Sequence, residues 1–207
     1  MQADTSQRTL GALQDYYAAH RAMPSFAALA KLVGVSVSTV AEAVSKLKGH
    51  GFLLASSTGR LQPGKRFFER ALRGAVQAGL PAAVVELEPE GLVIDQYLVD
   101  QPTRTFLLTI KGESMRDAGL LPGDTVVVKR GALAAIGDIV VASVRGEMTV
   151  KQLAQEEGGA PYLKARNPAF ADIYPAEDCE VLGVVVGQFR RYAATRSFST
   201  SIPKNSD

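Results

Sequence analysis

Phe106-Leu107-Leu108-Thr109-Ile110-Lys111-Gly112-Glu113-Ser114-Met115 is the stretch on which the reading of this chain turns. Its first five residues read as a strand, and Lys111-Gly112 supplies a glycine turn that presents Ser114 at a helix start. Main-chain N–H groups at such a corner can stabilise an oxyanion, so Ser114 is a candidate nucleophile. A serine after a glycine is by itself most often an ordinary turn residue. A nucleophile also needs a base, and both histidines, His20 and His50, lie far away in an N-terminal segment where they read as surface residues. Lysine can take the role when apolar burial disfavours its charged form. Lys151, in Met148-Thr149-Val150-Lys151-Gln152-Leu153, sits in a segment too apolar for a solvated strand.

Outward from this stretch, strand-like runs dominate. They are Ala83-Val84-Val85, Thr105 to Ile110, Thr125 to Val128, Asp138 to Val144, Thr149 to Leu153 and Val181 to Gly187. Pro122-Gly123-Asp124, Gly146-Glu147, Glu157-Gly158-Gly159 and Asn167-Pro168 separate them as turns. The spacing predicts a mostly β domain, closed or sandwiched, over residues 83–192. Residues 193–207, rich in Ser and Thr, read as a disordered tail. Residues 62–82 read as a linker, with a helical turn over Phe67 to Leu72.

Residues 1–61 have a different texture. Leu10, Leu13, Tyr16 and Tyr17 recur at helical spacing between Thr9 and Ala19. Ser25 is placed to cap a helix over Phe26 to Val33, and Ser36 or Ser38 to cap another running to Gly49 or Gly51. Ala30 is small where two helices cross, Gly34 permits a positive φ between them, and Val40 seals the core beneath. This is a helix-turn-helix pattern. Phe52 to Ala55 and the polar turn Ser56 to Arg60 would form a wing, so the fold class is α+β.

Charge divides along the same line. Residues 1–73 carry ten Lys/Arg against four Asp/Glu, whereas residues 74–207 carry thirteen against seventeen. A basic N-terminal third suits a polyanion partner. In such domains the start of the second helix enters the major groove, which makes Ser36, Ser38, Thr39 and Glu42 candidates for base contacts. Lys46, Lys48, Arg60, Lys65 and Arg66 are candidates for the DNA backbone. The bland reading of Ser36 and Ser38 is that they only cap the helix.

Other classes are excluded or left without support. No apolar run approaches the roughly 20 residues that span a bilayer, and residues 1–6 lack the order of a secretory signal. Cys179 is the sole cysteine, so no intrachain disulfide forms, and it is expected to be a small buried residue. The expected location is the cytoplasm, with no cofactor and no metal.

Two resemblances add to this reading. Gly34 through Leu47, with Gly51-Phe52-Leu53, resembles winged-helix repressors. Gly112-Glu113-Ser114-Met115 followed by Asp117, Gly119, Gly123-Asp124, Gly137-Asp138-Ile139-Val140 and Thr149-Val150-Lys151 resembles the peptidase domain of LexA, UmuD and phage repressors, over about residues 74 to 190. The resemblance implies a bacterial, nucleoid-associated repressor of the DNA-damage (SOS) response bound to a double-stranded operator. It implies a serine peptidase that cuts its own linker, with Ser114 as nucleophile and Lys151 as base. Within Gly74-Ala75-Val76-Gln77-Ala78-Gly79-Leu80-Pro81 it points to the Ala78-Gly79 bond, with Val76 as an anchor. It further implies stimulation by RecA filaments on single-stranded DNA, and a homodimer through the β domain, to which Leu182 to Val186 contribute. Val99 to Thr103 reads closer to UmuD, so the alternative is a self-processing accessory subunit of translesion DNA synthesis. That alternative leaves the helix-turn-helix unexplained. A trans-acting peptidase resembling signal peptidase would need a membrane anchor.

Overall fold

The computed structural model describes residues 4–57, 59–72, 90–174 and 178–192. The fold is α+β, in two compact units, residues 1–97 and 98–207.

The first unit is built on α1 (Thr5–His20), α2 (Phe26–Val33) and α3 (Val37–Gly49). Both short helices begin on a serine cap: Ser25 Oγ accepts the Ala28 N–H at 3.2 Å and Ser36 Oγ accepts the Thr39 N–H at 3.1 Å. Gly34 ends α2 at φ 74°, a left-handed conformation that glycine adopts without steric cost. Arg8 reaches across to bond the Val33 carbonyl at 2.6 Å, satisfying an otherwise orphaned acceptor at that helix end. Leu13, Leu29, Val40 and Leu53 are fully buried at the centre. The wing is β1 (Leu53–Ala55) paired antiparallel with β2 (Leu61–Pro63).

Residues 62–72 were expected to begin a linker and are instead built into this unit. Phe67 is 1% exposed, with its ring 5.6 Å edge-on to Tyr17 and 5.1 Å from Phe68. Gln14 of α1 bonds the Phe67 carbonyl at 2.5 Å. The chain can turn back this tightly because residue 64 is glycine: a Cβ there would lie 2.2 Å from the Gly51 carbonyl oxygen. No helix forms over Phe67–Leu72; after a turn the chain enters β3 (Arg70–Leu72), which pairs with β4 (Glu90–Leu92). Burying the ring outweighed local helical propensity. Phe67→Ala is therefore expected to destabilise the first unit by about 3–5 kcal/mol, measured by urea unfolding of the full chain followed in the helical circular dichroism signal.

After α4 (Ile94–Leu98), the second unit is a single antiparallel sheet. Its strands are β5 (Thr105–Thr109), β6 (Thr125–Arg130), β7 (Ile139–Val144), β8 (Glu147–Gln155), β9 (Pro161–Lys164) and β10 (Cys179–Phe189), in the order β5-β6-β10-β7-β8-β9. The expectation of a closed or two-sheet arrangement is corrected: among the described residues β5 and β9 remain edges of one sheet. That sheet buries both faces, so its central strands carry continuous apolar runs. Along β7 the alternation sends Val141 to a core with Ile110, Met115, Leu120, Val126 and Val128, and Val140 and Ala142 to a core with Leu163 and Val184. Two register shifts in β10, at Val181/Gly183 and Val185/Gly187, bend the strand that joins the two halves. Cys179, expected to be buried, is only partly so, at the end of β10 beside a surface cavity. Strand Ala83–Val85 and the tail 193–207 lie outside the described residues. Among the described residues no single helix is long and apolar enough to cross a membrane.

Candidate active site and nucleic-acid interface

Ser114 stands at the corner that follows β5. Ile110 continues the strand through a pair of backbone bonds, donating to Asp124 O and accepting from Gly123 N, both at 2.8 Å. Met115, 2% exposed, pins the far side of the corner in the core, and a 3₁₀ turn over Arg116–Ala118 follows. Among the described residues the N–H groups of Ser114 and Met115 donate to no protein acceptor. A cavity of about 740 Å³ opens beside Ser114, walled by Leu108, Ile110, Met115, Val141 and Val150.

Lys151 comes from the middle of β8, paired with Val140 of β7, and is 6% exposed. Its Nζ donates to Ser114 Oγ at 2.8 Å, to Thr149 Oγ1 at 3.1 Å and to the Val150 carbonyl at 3.2 Å. Burial pulls its pKa below the ordinary 10.5, while the negative charge of Asp172 opposes that shift. A lysine amine held in this way, with a serine hydroxyl in hydrogen-bond reach, can exchange a proton with it once neutral. The structure thus brings Ser114 and Lys151 together. Ala78, Gly79 and Val76 lie outside the described residues.

Asp124, which follows the glycine of Pro122-Gly123-Asp124, is fully buried and forms a two-point ion pair with Arg190 beyond β10. One contact joins Arg190 Nε to Oδ1; the other joins Nη2 to Oδ2 at 2.6 Å. The Arg190 guanidinium, helped by the Leu121 N–H, holds the Asp124 carboxyl at a pKa of about 2. Because that value is depressed, the pair's contribution to stability is complete above the ordinary carboxylate range and is lost as pH falls toward 2. Arg190, Asp172 and the loop residue Asn167 were not singled out from sequence. Their partners are distant in the chain, and Asn167-Pro168 carries only a turn signal.

In the first unit, α3 buries Val40, Ala43, Val44 and Leu47. That leaves Ser38, Glu42 and Lys46, at successive four-residue steps, on its exposed face. Lys48 and Arg60 are exposed as well, while Thr39 is partly buried. Ser36 Oγ lies 2.7 Å from Ser38 Oγ and 2.8 Å from Thr39 Oγ1, so these hydroxyls form one cluster around the cap. Arg66, also expected to contact the DNA backbone, is exposed and is engaged by its own chain. Its guanidinium lies 4.5 Å from the Phe52 ring centroid, pairs with Glu69 at 2.9 Å and bonds the His50 carbonyl at 3.3 Å. It ties the wing to the segment that follows.

Comparison with known proteins agrees with this division. Residues 4–53 match the helix-turn-helix domain family, and residues 71–186 match the family described as Peptidase S24-like. The chain is 31% identical over 180 residues to a LexA repressor of Clostridium kluyveri, covering 82% of this chain and 87% of that protein. It is 32% identical over 200 residues to LexA repressor 1 of Nocardia farcinica, covering 89% and 91%. Protein ImpA of Salmonella typhimurium is 36% identical over 115 residues, covering 56% and 79%. With a basic helix-turn-helix unit in front of a β unit that joins a serine to a buried lysine, the chain belongs to the LexA family of DNA-binding repressors with a peptidase S24-like domain.

Proposed function

We propose that Ser114 and Lys151 form the dyad with which this repressor cuts its own Ala78-Gly79 bond, and that the cut releases it from DNA. The carrying observation is the 2.8 Å contact between Ser114 Oγ and the buried Lys151 Nζ. Neutral Lys151 takes the Ser114 proton as Oγ attacks the Ala78 carbonyl carbon. The N–H groups of Ser114 and Met115 receive the oxyanion. The ammonium then returns the proton to the Gly79 nitrogen as the C–N bond breaks, leaving an acyl-serine that water hydrolyses. Because the substrate belongs to the same chain, positioning alone can lower the barrier by about 7–11 kcal/mol. The apolar walls beside Ser114 suit the Val76 side chain as an anchor.

On DNA, Ser36, Ser38, Thr39 and Glu42 face the bases, while Lys46, Lys48 and Arg60 neutralise phosphates. Two copies joined through the β unit match a palindromic operator in the nucleoid. RecA filaments on single-stranded DNA favour the cleavable arrangement and thereby couple DNA damage to derepression. The test is mass spectrometry of purified protein after alkaline incubation, with and without RecA filaments. Fragments that meet at Ala78-Gly79 are expected; a junction elsewhere, or an intact chain under both conditions, contradicts the assignment.

A further inference from the structure

Only four polar or charged residues are buried among the described ones: Thr9, Asp124, Lys151 and Asn167. The first bonds its own helix, the second pairs with Arg190, and the third contacts Ser114. Asn167, 4% exposed in the loop after β9, carries the remaining unassigned group. Its Nδ2 donates to the Glu113 carbonyl at 3.0 Å, and its Oδ1 accepts the Ala169 N–H at 3.0 Å. The adjoining Arg166 N–H donates to the Ser114 carbonyl at 2.7 Å, and the Arg166 carbonyl accepts the Asp117 N–H at 2.7 Å.

These contacts meet the corner at two consecutive peptide groups. The Glu113 carbonyl shares its plane with the Ser114 N–H, and the Ser114 carbonyl shares its plane with the Met115 N–H. Since a peptide group is planar, fixing its oxygen fixes the direction of its N–H. A carbonyl that accepts a hydrogen bond also polarises the N–H across the same amide. A buried carboxamide left unsatisfied is costly, and here both ends of the carboxamide are satisfied, one of them by the corner that bears Ser114.

We infer that Asn167 is a positioning residue for self-cleavage: together with the Arg116 N–H, which donates to the same carbonyl at 3.1 Å, it holds the Glu113 carbonyl and so aims the Ser114 N–H at the oxyanion. Its side chain bonds Glu113 and Ala169 and makes no hydrogen bond to Lys151. The inference rests on the reading of Ser114 as nucleophile, and the experiment separates the two. Full-length wild type, Ser114→Ala, Asn167→Asp and Asn167→Ser are followed across alkaline pH for cleavage rate, with melting temperature measured in parallel. Asn167→Asp keeps the acceptor for Ala169 and loses the donor to Glu113; Asn167→Ser is smaller and loses the reach to Glu113. Both variants are expected to lower the high-pH plateau by on the order of 10–100-fold, with the pH midpoint unmoved. Plateaus within about twofold of wild type, while Ser114→Ala stays uncut, would overturn the inference and leave the dyad standing. A fall in plateau matched by a moved midpoint or a lost melting transition would also overturn it, since that marks general damage to the fold. Cleavage persisting in Ser114→Ala would overturn both readings.

Discussion

Ser114→Ala is expected to lower the self-cleavage rate by on the order of 10³-fold or more, and Lys151→Ala by a similar factor. The double variant should be scarcely worse than either, because a nucleophile and its base act as one unit. Lys151→Arg should not rescue the reaction, since a guanidinium holds its proton throughout the usable pH range. None of these changes touches α3, so operator affinity should remain that of the wild type. Gel densitometry of fragment formation together with anisotropy on operator DNA checks both halves. The pH dependence has a definite sign. Burial lowers the Lys151 pKa below 10.5, so the neutral, base-competent fraction rises with pH and the rate climbs to a plateau above the folded-state pKa. The same depression makes the folded chain give up this proton before the unfolded one does. Burying Lys151 therefore costs stability at lower pH, and the cost is relieved as pH rises toward the ordinary lysine value.

The second large effect concerns DNA. A fragment of residues 1–78 is expected to bind a palindromic operator on the order of 10²-fold or more weaker than the intact Ser114→Ala protein. Each half-site contact keeps its chemistry, but the second no longer benefits from the first. The surviving affinity should depend on salt less steeply, since fewer phosphates are neutralised in one binding event. Fluorescence anisotropy at two or three salt concentrations measures both quantities. Equal affinity for fragment and intact protein would mean that cutting is not what releases the repressor.

What was legible in the sequence was whatever could be signalled locally. Helical spacing around Leu10 and Leu13, the serine caps and Gly34 between two short helices need only a few neighbouring residues to be recognised, and the three helices lie where those signals put them. Ser114 and Lys151 stood out as candidates because each stands in a short segment of unusual character: a strand running into a glycine corner, and a lysine among apolar residues. The resemblance of the motifs around them, in order and spacing, joined them as a pair. The structure adds that their side chains meet at 2.8 Å across thirty-seven positions of chain. The rest depended on contacts that no short window contains. Phe67 looked like linker because its burial comes from Tyr17 and α1, fifty residues earlier. The contacts of Arg66 with Glu69 and Phe52 were not legible, because those partners meet only once the wing folds back. Asn167 read as a plain turn residue, and Arg190 carried no signal until Asp124 was found beneath it. Strand β9, four residues long, was too short for its alternation to register.

The most direct test of the whole account loads intact protein on labelled operator DNA, adds activated RecA filaments, and follows release and chain cleavage in the same samples. Wild-type protein should leave the DNA at the rate at which fragments ending at Ala78 appear, while Ser114→Ala protein stays bound throughout. Release of the Ser114→Ala protein at the wild-type rate, or wild-type release ahead of any cleavage, would contradict it.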